Sequence, residues 1–140
     1  MKGLVLFAAM MPAALTSCIS SKPPACNDSA VLALVEELVE ENASAVFDQY
    51  VPSNDPMLLL RYMSLGIGMT HFHTFYIPTE QAKKISWEFS NTRTTALDEG
   101  ARIRSCAATV SFGNEQESVG TFTLPYSVGF NDDGDVLVSL

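Results

Sequence analysis

The strongest constraint on the fold is a change in the spacing of apolar residues near Lys83. From there onward apolar side chains occupy every second position, as Ile85, Trp87 and Phe89 do. That alternation predicts a strand with one buried face and one solvated face. The period of two returns in three later segments. Each segment has a set of apolar residues predicted to face the core. The sets are Cys106, Ala108, Val110 and Phe112 in the first; Phe122, Leu124, Tyr126, Val128 and Phe130 in the second; and Val136, Val138 and Leu140 in the third.

Two features interrupt this alternation. Arg102 and Arg104 share the parity of Cys106, so either that end of the strand leaves the core or a bulge shifts the register. Pro125 lacks a backbone donor and predicts that its strand is an edge strand or is bulged there. Short turns rich in Gly, Asn and Asp separate the segments, at 98–100, 113–117 and 131–134.

A helix is predicted before the strands. Asn27 or Asp28 is a suitable N-cap. A single helical face follows at spacings of three and four: Val31, Leu34, Val35, Leu38, Asn42 and Val46. The glutamates at 36, 37, 40 and 41 lie off this face and indicate a solvated surface or a docking face for a basic partner. The element order predicts an α+β fold, an N-terminal helix packed on an antiparallel sheet of about four strands, as in cystatin-like or NTF2-like folds.

The segment between helix and strands is less regular. Pro52 and Pro56 end the first helix, and residues 57–64 are consistent with a short second one. Gly66 and Gly68 break that helix, and residues 69–77 have an extended, aromatic character. The 57–77 region is rich in Met, Phe and Tyr, which suits either a buried core or an adaptable binding surface.

The first residues have the layout of a secretory signal peptide. Lys2 precedes an apolar run over 3–15, and small residues lead to Cys18. Thirteen apolar residues are too few to span ~30 Å of hydrocarbon at ~1.5 Å per residue. Leu15-Thr16-Ser17-Cys18 resembles the lipobox of bacterial lipoproteins. An ordinary cleaved signal peptide is the alternative.

The lipobox resemblance implies a lipid anchor. Residues 1–17 would be cleaved off as the signal peptide, and Cys18 would be the attachment site for a diacylglyceryl group and palmitate. Ile19 stands where an Asp resembles an inner-membrane retention signal, so we expect the outer membrane, facing the periplasm. Residues 18–25 would form the lipidated tether, and 26–140 a single domain. The stretch 91–106 also resembles small exported lipoproteins of uncharacterised role.

With Cys18 lipidated, two cysteines are left for an oxidising compartment. The expected disulfide joins Cys26 to Cys106. A closure of this length stabilises a fold by roughly 4.5 kcal/mol in the loop-entropy treatment. Two alternatives remain open: both thiols free, or a bridge from Cys18 to Cys26 without lipid.

Charge limits the choice of partner. The formal net charge is −8, and removing residues 1–17 takes away one cation and no acid, leaving −9. Such a surface repels nucleic-acid phosphates and anionic lipid head groups, so no nucleic-acid partner is expected. It suits a basic protein, a cation, or solubility alone.

Sequence motifs for chemistry are weak. His71 and His73 are the candidate metal ligands, at a spacing that puts both on one face of a strand. No third ligand stands at a telling distance in the sequence, so we expect no metal. Residues 131–135 match a hairpin turn better than a calcium loop. With no nucleophile motif and no Gly-rich phosphate loop, we expect neither an enzyme nor a cofactor.

These observations favour a lipid-anchored protein that binds another protein without catalysis. Immunity, inhibitor and envelope-accessory roles all fit that description. The alternative is a carrier of a small molecule or metal that uses the 57–77 region.

Overall fold

The computed structural model describes residues 8–11, 22–70 and 74–140. Within these ranges it contains four helices and seven strands. The helices are α1 (Ser29–Glu41), α2 (Ala43–Tyr50), α3 (Pro56–Met63) and α4 (Thr79–Ala82). The strands are β1 (Ala8–Met11), β2 (Gly68–Met69), β3 (Phe75–Tyr76), β4 (Ser86–Asp98), β5 (Ile103–Gly113), β6 (Ser118–Phe130) and β7 (Val136–Ser139). None of the described helices has the length and apolar character needed to cross a bilayer.

The sheet confirms the α+β class and the antiparallel arrangement. Five strands pair in the order β1-β7-β6-β5-β4, and β2 pairs with β3 in a separate hairpin. The four predicted strands correspond to β4 through β7. The fifth, β1, lies inside the segment predicted to be the signal peptide and pairs antiparallel with β7, with Ala8 opposite Ser139 and Met11 opposite Val136.

The prediction of one helix continuing through Asn42 is wrong, because α1 ends at Glu41. Asp28 does cap α1, because its Oδ1 accepts a hydrogen bond from the Ala30 amide at 2.9 Å. Asn42 then leaves the helical region, with φ −124° and ψ 25°, and α2 begins at the next residue. Asparagine is a poor helix former, so the break falls there. In α2 the buried residues are Ala43, Val46 and Phe47.

Of the two alternatives predicted for the Pro125 strand, an edge position or a bulge, the edge position is wrong. β6 lies between β7 and β5 in the sheet. The pairing of β6 with β7 begins at Ser127, which lies opposite Ser139, the last residue of β7. Pro125 therefore lies beyond the stretch that β7 covers, where a missing donor costs no bond to that neighbour.

The chain divides into two compact units. The first comprises the described residues of Met1–Leu38 together with Asn91–Ala108 and Pro125–Leu140. Its centre is a disulfide between Cys26 and Cys106, with the two Cα atoms 5.8 Å apart. Both cysteines are buried. They share this core with Val31, Leu34, Val35, Leu38, Ala107, Ala108, Tyr126, Val128 and Val138.

Three hydrogen bonds from two side chains hold residues 23–26 in this unit. Arg104 Nε donates to the Pro24 carbonyl at 3.1 Å, and its Nη2 donates to the Pro23 carbonyl at 3.4 Å. Tyr126 Oη donates to the Cys26 carbonyl at 2.7 Å. Arg102 takes a positive φ of 53° in the turn before β5 begins at Ile103. Arg102 and Arg104 occupy positions where the alternation predicts inward-facing residues. Arg102 lies in the turn before β5, and Arg104 donates hydrogen bonds to backbone carbonyls.

The second unit comprises Val39–Ser90 and Thr109–Leu124. Its core is aromatic and centres on Phe47, which is fully buried. The Phe47 ring makes edge-to-face contacts with five rings at centroid distances from 4.8 Å to 6.4 Å: Tyr62, Phe75, Trp87, Phe112 and Phe122. Trp87 Nε1 donates to the Ala82 carbonyl at 3.1 Å, so the indole is buried with its donor satisfied.

Because of Tyr126, the free energy of unfolding should decrease at alkaline pH. Burial raises the pKa of Tyr126 to about 12 from its usual 10.0. The folded state therefore holds the phenolic proton more tightly, and this contribution is complete below pH 10 and lost as pH rises toward about 12. Tyr126→Phe should lower the free energy of unfolding at pH 7 by about 1–3 kcal/mol, because the buried Cys26 carbonyl loses its donor.

Urea unfolding at several pH values checks this. The difference between wild type and Tyr126→Phe should shrink as pH rises through the window above 10. Burial also raises the pKa of Tyr50 and Tyr62, but both rings remain in the two proteins and cancel in the comparison. Tyr76→Phe, at a 61% exposed position, is the control and should change stability at pH 7 by less than about 0.5 kcal/mol. A pH-independent difference for Tyr126→Phe would contradict the assignment.

Candidate binding site

Helix α3 has strong local start and stop signals. Asp55 Oδ1 accepts a hydrogen bond from the Met57 amide at 2.9 Å, and Pro56 takes the first helical position. At the other end Gly66 adopts a left-handed φ of 77°, and its amide donates to the Met63 carbonyl at 3.0 Å. A glycine in this conformation closes a helix without steric cost. The helix predicted over 57–64 is therefore present with bounds Pro56–Met63.

One face of α3 exposes large apolar side chains. Met57, Leu60 and Met63 are 71%, 62% and 64% exposed and follow one another at a spacing of three. That spacing places them on one side of the helix. Tyr76 on β3, in the same unit, is 61% exposed. We call Met57, Leu60 and Met63 the apolar surface. Contiguous exposed apolar area is uncommon on soluble proteins and marks places where something binds.

An apolar cleft opens beside α3. Its volume is about 330 Å³, near the lower end of the range for small-ligand pockets. Its lining comes from α3, the turn after it and the β2–β3 hairpin: Leu59, Tyr62, Met63, Gly66, Ile67, Gly68, Met69 and Phe75. Met63 belongs both to the cleft and to the apolar surface, so the two are continuous.

The floor of the cleft is rigid because it is part of the aromatic core. Tyr62 and Phe75 line the cleft and contact Phe47 at centroid distances of 6.4 Å and 5.5 Å. Two hydrogen bonds fix β3 to α2. Asp48 Oδ1 accepts from the Phe75 amide at 2.7 Å, and Ser44 Oγ accepts from the Ile77 amide at 2.8 Å. The methionines above this floor are free to adapt to a ligand, since their side chains are flexible.

Charge plays little part inside the cleft. Burial raises the pKa of Tyr62, the nearby Asp55 carboxylate raises it further, and Arg61 lowers it. The phenol therefore stays neutral at physiological pH. Arg61 Nη2 lies 3.5 Å from the Ser118 carbonyl, at the start of β6. The described lining of the cleft is mainly apolar and suits apolar contact.

The predicted site residues meet different outcomes. The lipid attachment at Cys18 and the metal candidates His71 and His73 lie outside the described residues. Cys26 and Cys106 are joined in the structure. The 57–77 region, described apart from 71–73, supplies both the apolar surface and all the residues that line the cleft.

Two elements were missed by sequence reasoning. The exposed apolar face of α3 has a visible signal, the spacing of Met57, Leu60 and Met63, but its orientation toward solvent depends on tertiary packing. Phe47 was left off the predicted helical face because that face assumed one continuous helix through Asn42.

No group of three or more His, Cys, Asp or Glu side chains in the described part of the chain is placed to hold a metal ion. Comparison with family models, with curated proteins and with solved structures gives no match to this chain.

Substitution of Gly66 tests whether the Gln81 hydrogen bond holds the turn beside the cleft. A Cβ at Gly66 would lie 2.5 Å from Gln81 Nε2, the atom that donates to the Leu65 carbonyl at 2.7 Å. Gly66→Ala should therefore lose this hydrogen bond, worth about 1 kcal/mol, in addition to the cost of about 1–2 kcal/mol for alanine at positive φ.

Gly134→Ala is the matched control. Gly134 has a φ of 83° with open space around its Cβ position, so only the conformational cost applies. Urea denaturation of both variants measures the difference. Equal losses of stability would show that the Gln81 contact does not hold the turn.

Proposed function

We propose that this protein is a lipid-anchored component of the cell envelope, facing the periplasm, which binds another protein without catalysing a reaction. Its role would be that of an immunity protein, an inhibitor or an envelope-assembly accessory. Cys18 would carry the lipid, and the outer membrane is the proposed location. The lipobox-like stretch 15–18 supports the anchoring.

The observation that carries the binding role is the apolar surface. Met57, Leu60 and Met63 would each be more stable covered than in water, at roughly 25 cal/mol per Å² of apolar area removed. A rigid floor below flexible methionines is a suitable base for a protein interface. The acidic surface, −9 after loss of residues 1–17, favours a basic partner through faster and more selective association.

A small-molecule carrier is the second candidate, and the cleft favours it. A volume of about 330 Å³ with an apolar lining suits a small apolar ligand. The same residues would serve either role, because Met63 borders both features. If the protein carried a metal ion instead, the candidate ligands would be His71 and His73, which lie outside the described residues.

For the finer architecture, we propose the cystatin-like or NTF2-like plan, with the helical segment laid on the sheet. Support comes from the order of elements, since α1 precedes the consecutive strands β4 to β7. Such a plan says nothing about activity, because one fold hosts many functions.

Substitution on the apolar surface separates the two candidate functions. Leu60→Glu should weaken partner binding at least about tenfold, since exposed apolar anchors of an interface typically account for its affinity. Folding should be unaffected, because Leu60 is 62% exposed. Thr123→Glu, on an exposed β6 position, is the matched control and should bind as wild type does.

The measurement is site-specific photo-crosslinking in envelope extract from position 60, compared with position 123, followed by affinity measurement on the trapped protein. A crosslink to one protein from position 60 alone supports the protein-binding role. Native mass spectrometry that instead shows a bound small molecule, displaced in a cleft variant such as Gly68→Leu, supports the carrier. A chain with neither would sink both proposals.

The anchor makes a separate prediction. Palmitate labelling of the full chain in a bacterial host should disappear in Cys18→Ala, while Cys26→Ala should retain it. The physical reason is that only a thiol placed directly after the small residues of the lipobox receives the lipid. Label that persists in Cys18→Ala would contradict the anchor.

A further inference from the structure

Strand β1 covers an otherwise open edge of the five-stranded sheet. β7 pairs with β6 on one side and with β1 on the other, and β1 is the outermost strand. The register is antiparallel over four residues, with Ala9 opposite Val138 and Met10 opposite Leu137. If the chain is cleaved before Cys18, all four residues of β1 are removed, and β7 becomes the edge.

At the three β1 residues whose burial is described, the strand contributes its backbone rather than a buried side chain. Ala8 is exposed, Met10 is 57% exposed, and Ala9 is half-buried, so none of these three belongs to the core. Val138, across from Ala9, is fully buried within the sheet. Loss of β1 would therefore leave the core in place while freeing a row of backbone donors and acceptors.

The β7 edge is short, at four residues, but it lacks two of the other usual protections against strand pairing. Edge strands commonly use lysine, proline or a bulge to block a neighbour. β7 reads Val-Leu-Val-Ser, with no charge and no proline. A second copy of this chain is a poor occupant, because two molecules at −9 repel one another.

The turn beside this edge is acidic. Asp132 and Asp133 are exposed in the turn that leads into β7. Met11, the last residue of β1, lies opposite Val136 and hence at the acidic end of the strand. An antiparallel strand seated as β1 is would direct its own C-terminal end toward these carboxylates.

We propose that processing opens the β7 edge as a strand-addition site for an extended segment of a basic protein. The incoming strand would run antiparallel to Val136–Ser139, place a small residue opposite Val138, and continue into lysines or arginines beside Asp132 and Asp133. Main-chain hydrogen bonds give the affinity in this mode of recognition. The inference rests on the lipoprotein part of the proposed function, because only cleavage before Cys18 removes β1.

Hydrogen exchange on the full chain tests the opening of the edge. Two forms are purified in detergent: processed wild type, and Cys18→Ala, which should keep residues 1–17. Intact mass establishes whether each leader is present. The alternate amides of residues 136–139 that donate to β1 should exchange at least about tenfold faster in the processed form, because they lose that pairing, while the amides that donate to β6 keep theirs. Amides of residues 106–112 in β5 should be unchanged and serve as the internal control.

A synthetic peptide of residues 6–11 followed by three lysines is the probe for the site. It should restore protection of residues 136–139 in the processed form. A version ending in three glutamates should bind several-fold more weakly at low salt, and the difference should fade as salt is raised. Substitution of Asp132 and Asp133 by Asn should remove the preference for the lysine tail while leaving the strand itself able to bind.

N-methylated peptides distinguish strand addition from side-chain binding. In an antiparallel pair, alternate residues direct their amides toward the neighbour. Of two peptides, one methylated at positions 8 and 10 and one at 9 and 11, only one should lose binding. Equal binding by both would overturn the proposal, as would equal exchange in the two forms of the protein or a dimer that buries β7.

The outcomes distinguish failure of the strand-addition site from failure of the lipoprotein proposal on which it depends. A processed protein whose β7 amides stay protected keeps the lipoprotein proposal and overturns the open edge. A wild-type chain that retains residues 1–17 overturns both.

Discussion

Packing around Phe47 is the interaction on which the candidate site depends. Five rings surround this side chain, and two of them, Tyr62 and Phe75, also line the cleft. Edge-to-face ring pairs contribute about 0.5–1.5 kcal/mol each beyond simple burial, so the cluster defines one geometry rather than several. Because the cleft floor shares these rings, its shape is fixed by the core. The methionines at its rim are not fixed in this way, and the site combines a rigid base with an adaptable edge.

In the first unit, a disulfide bond constrains the geometry as the Phe47 cluster does in the second. The Cys26–Cys106 bridge closes a separation of 80 residues, Arg104 donates to the carbonyls of Pro23 and Pro24, and Tyr126 donates to the carbonyl of Cys26. These contacts hold the chain from Pro23 onward against the unit. A lipid at Cys18 would then be separated from a fixed point by only five residues, a reach of at most about 18 Å at ~3.6 Å per residue. The proposed anchor would therefore keep this unit close to the membrane.

Sequence patterns predicted the strands better than the helices. Alternation requires only that one face of a strand be buried, and Cys106, Ala108, Val110 and Phe112 are all buried as expected. The break at Asn42 could not be read from periodicity, because the apolar spacing continues through it. The position of Pro125 within a central strand depends on where β7 ends, which is a property of pairing rather than of composition. The exposure of Met57, Leu60 and Met63 likewise depends on which side of α3 meets the core.

The two proposed binding surfaces differ in what controls them. The apolar surface on α3 would bind side chains, and its three residues are exposed in the described structure. The β7 edge would bind backbone, and residues 8–11 cover it as long as they remain attached. Because the segment that blocks the edge and the segment that would direct export are the same, one cleavage would both deliver the lipid anchor and free the edge. A precursor would then be unable to add a strand at β7 before it reaches the membrane. Such an arrangement also protects an uncharged edge from pairing with other chains during synthesis, when open strands are most prone to aggregate.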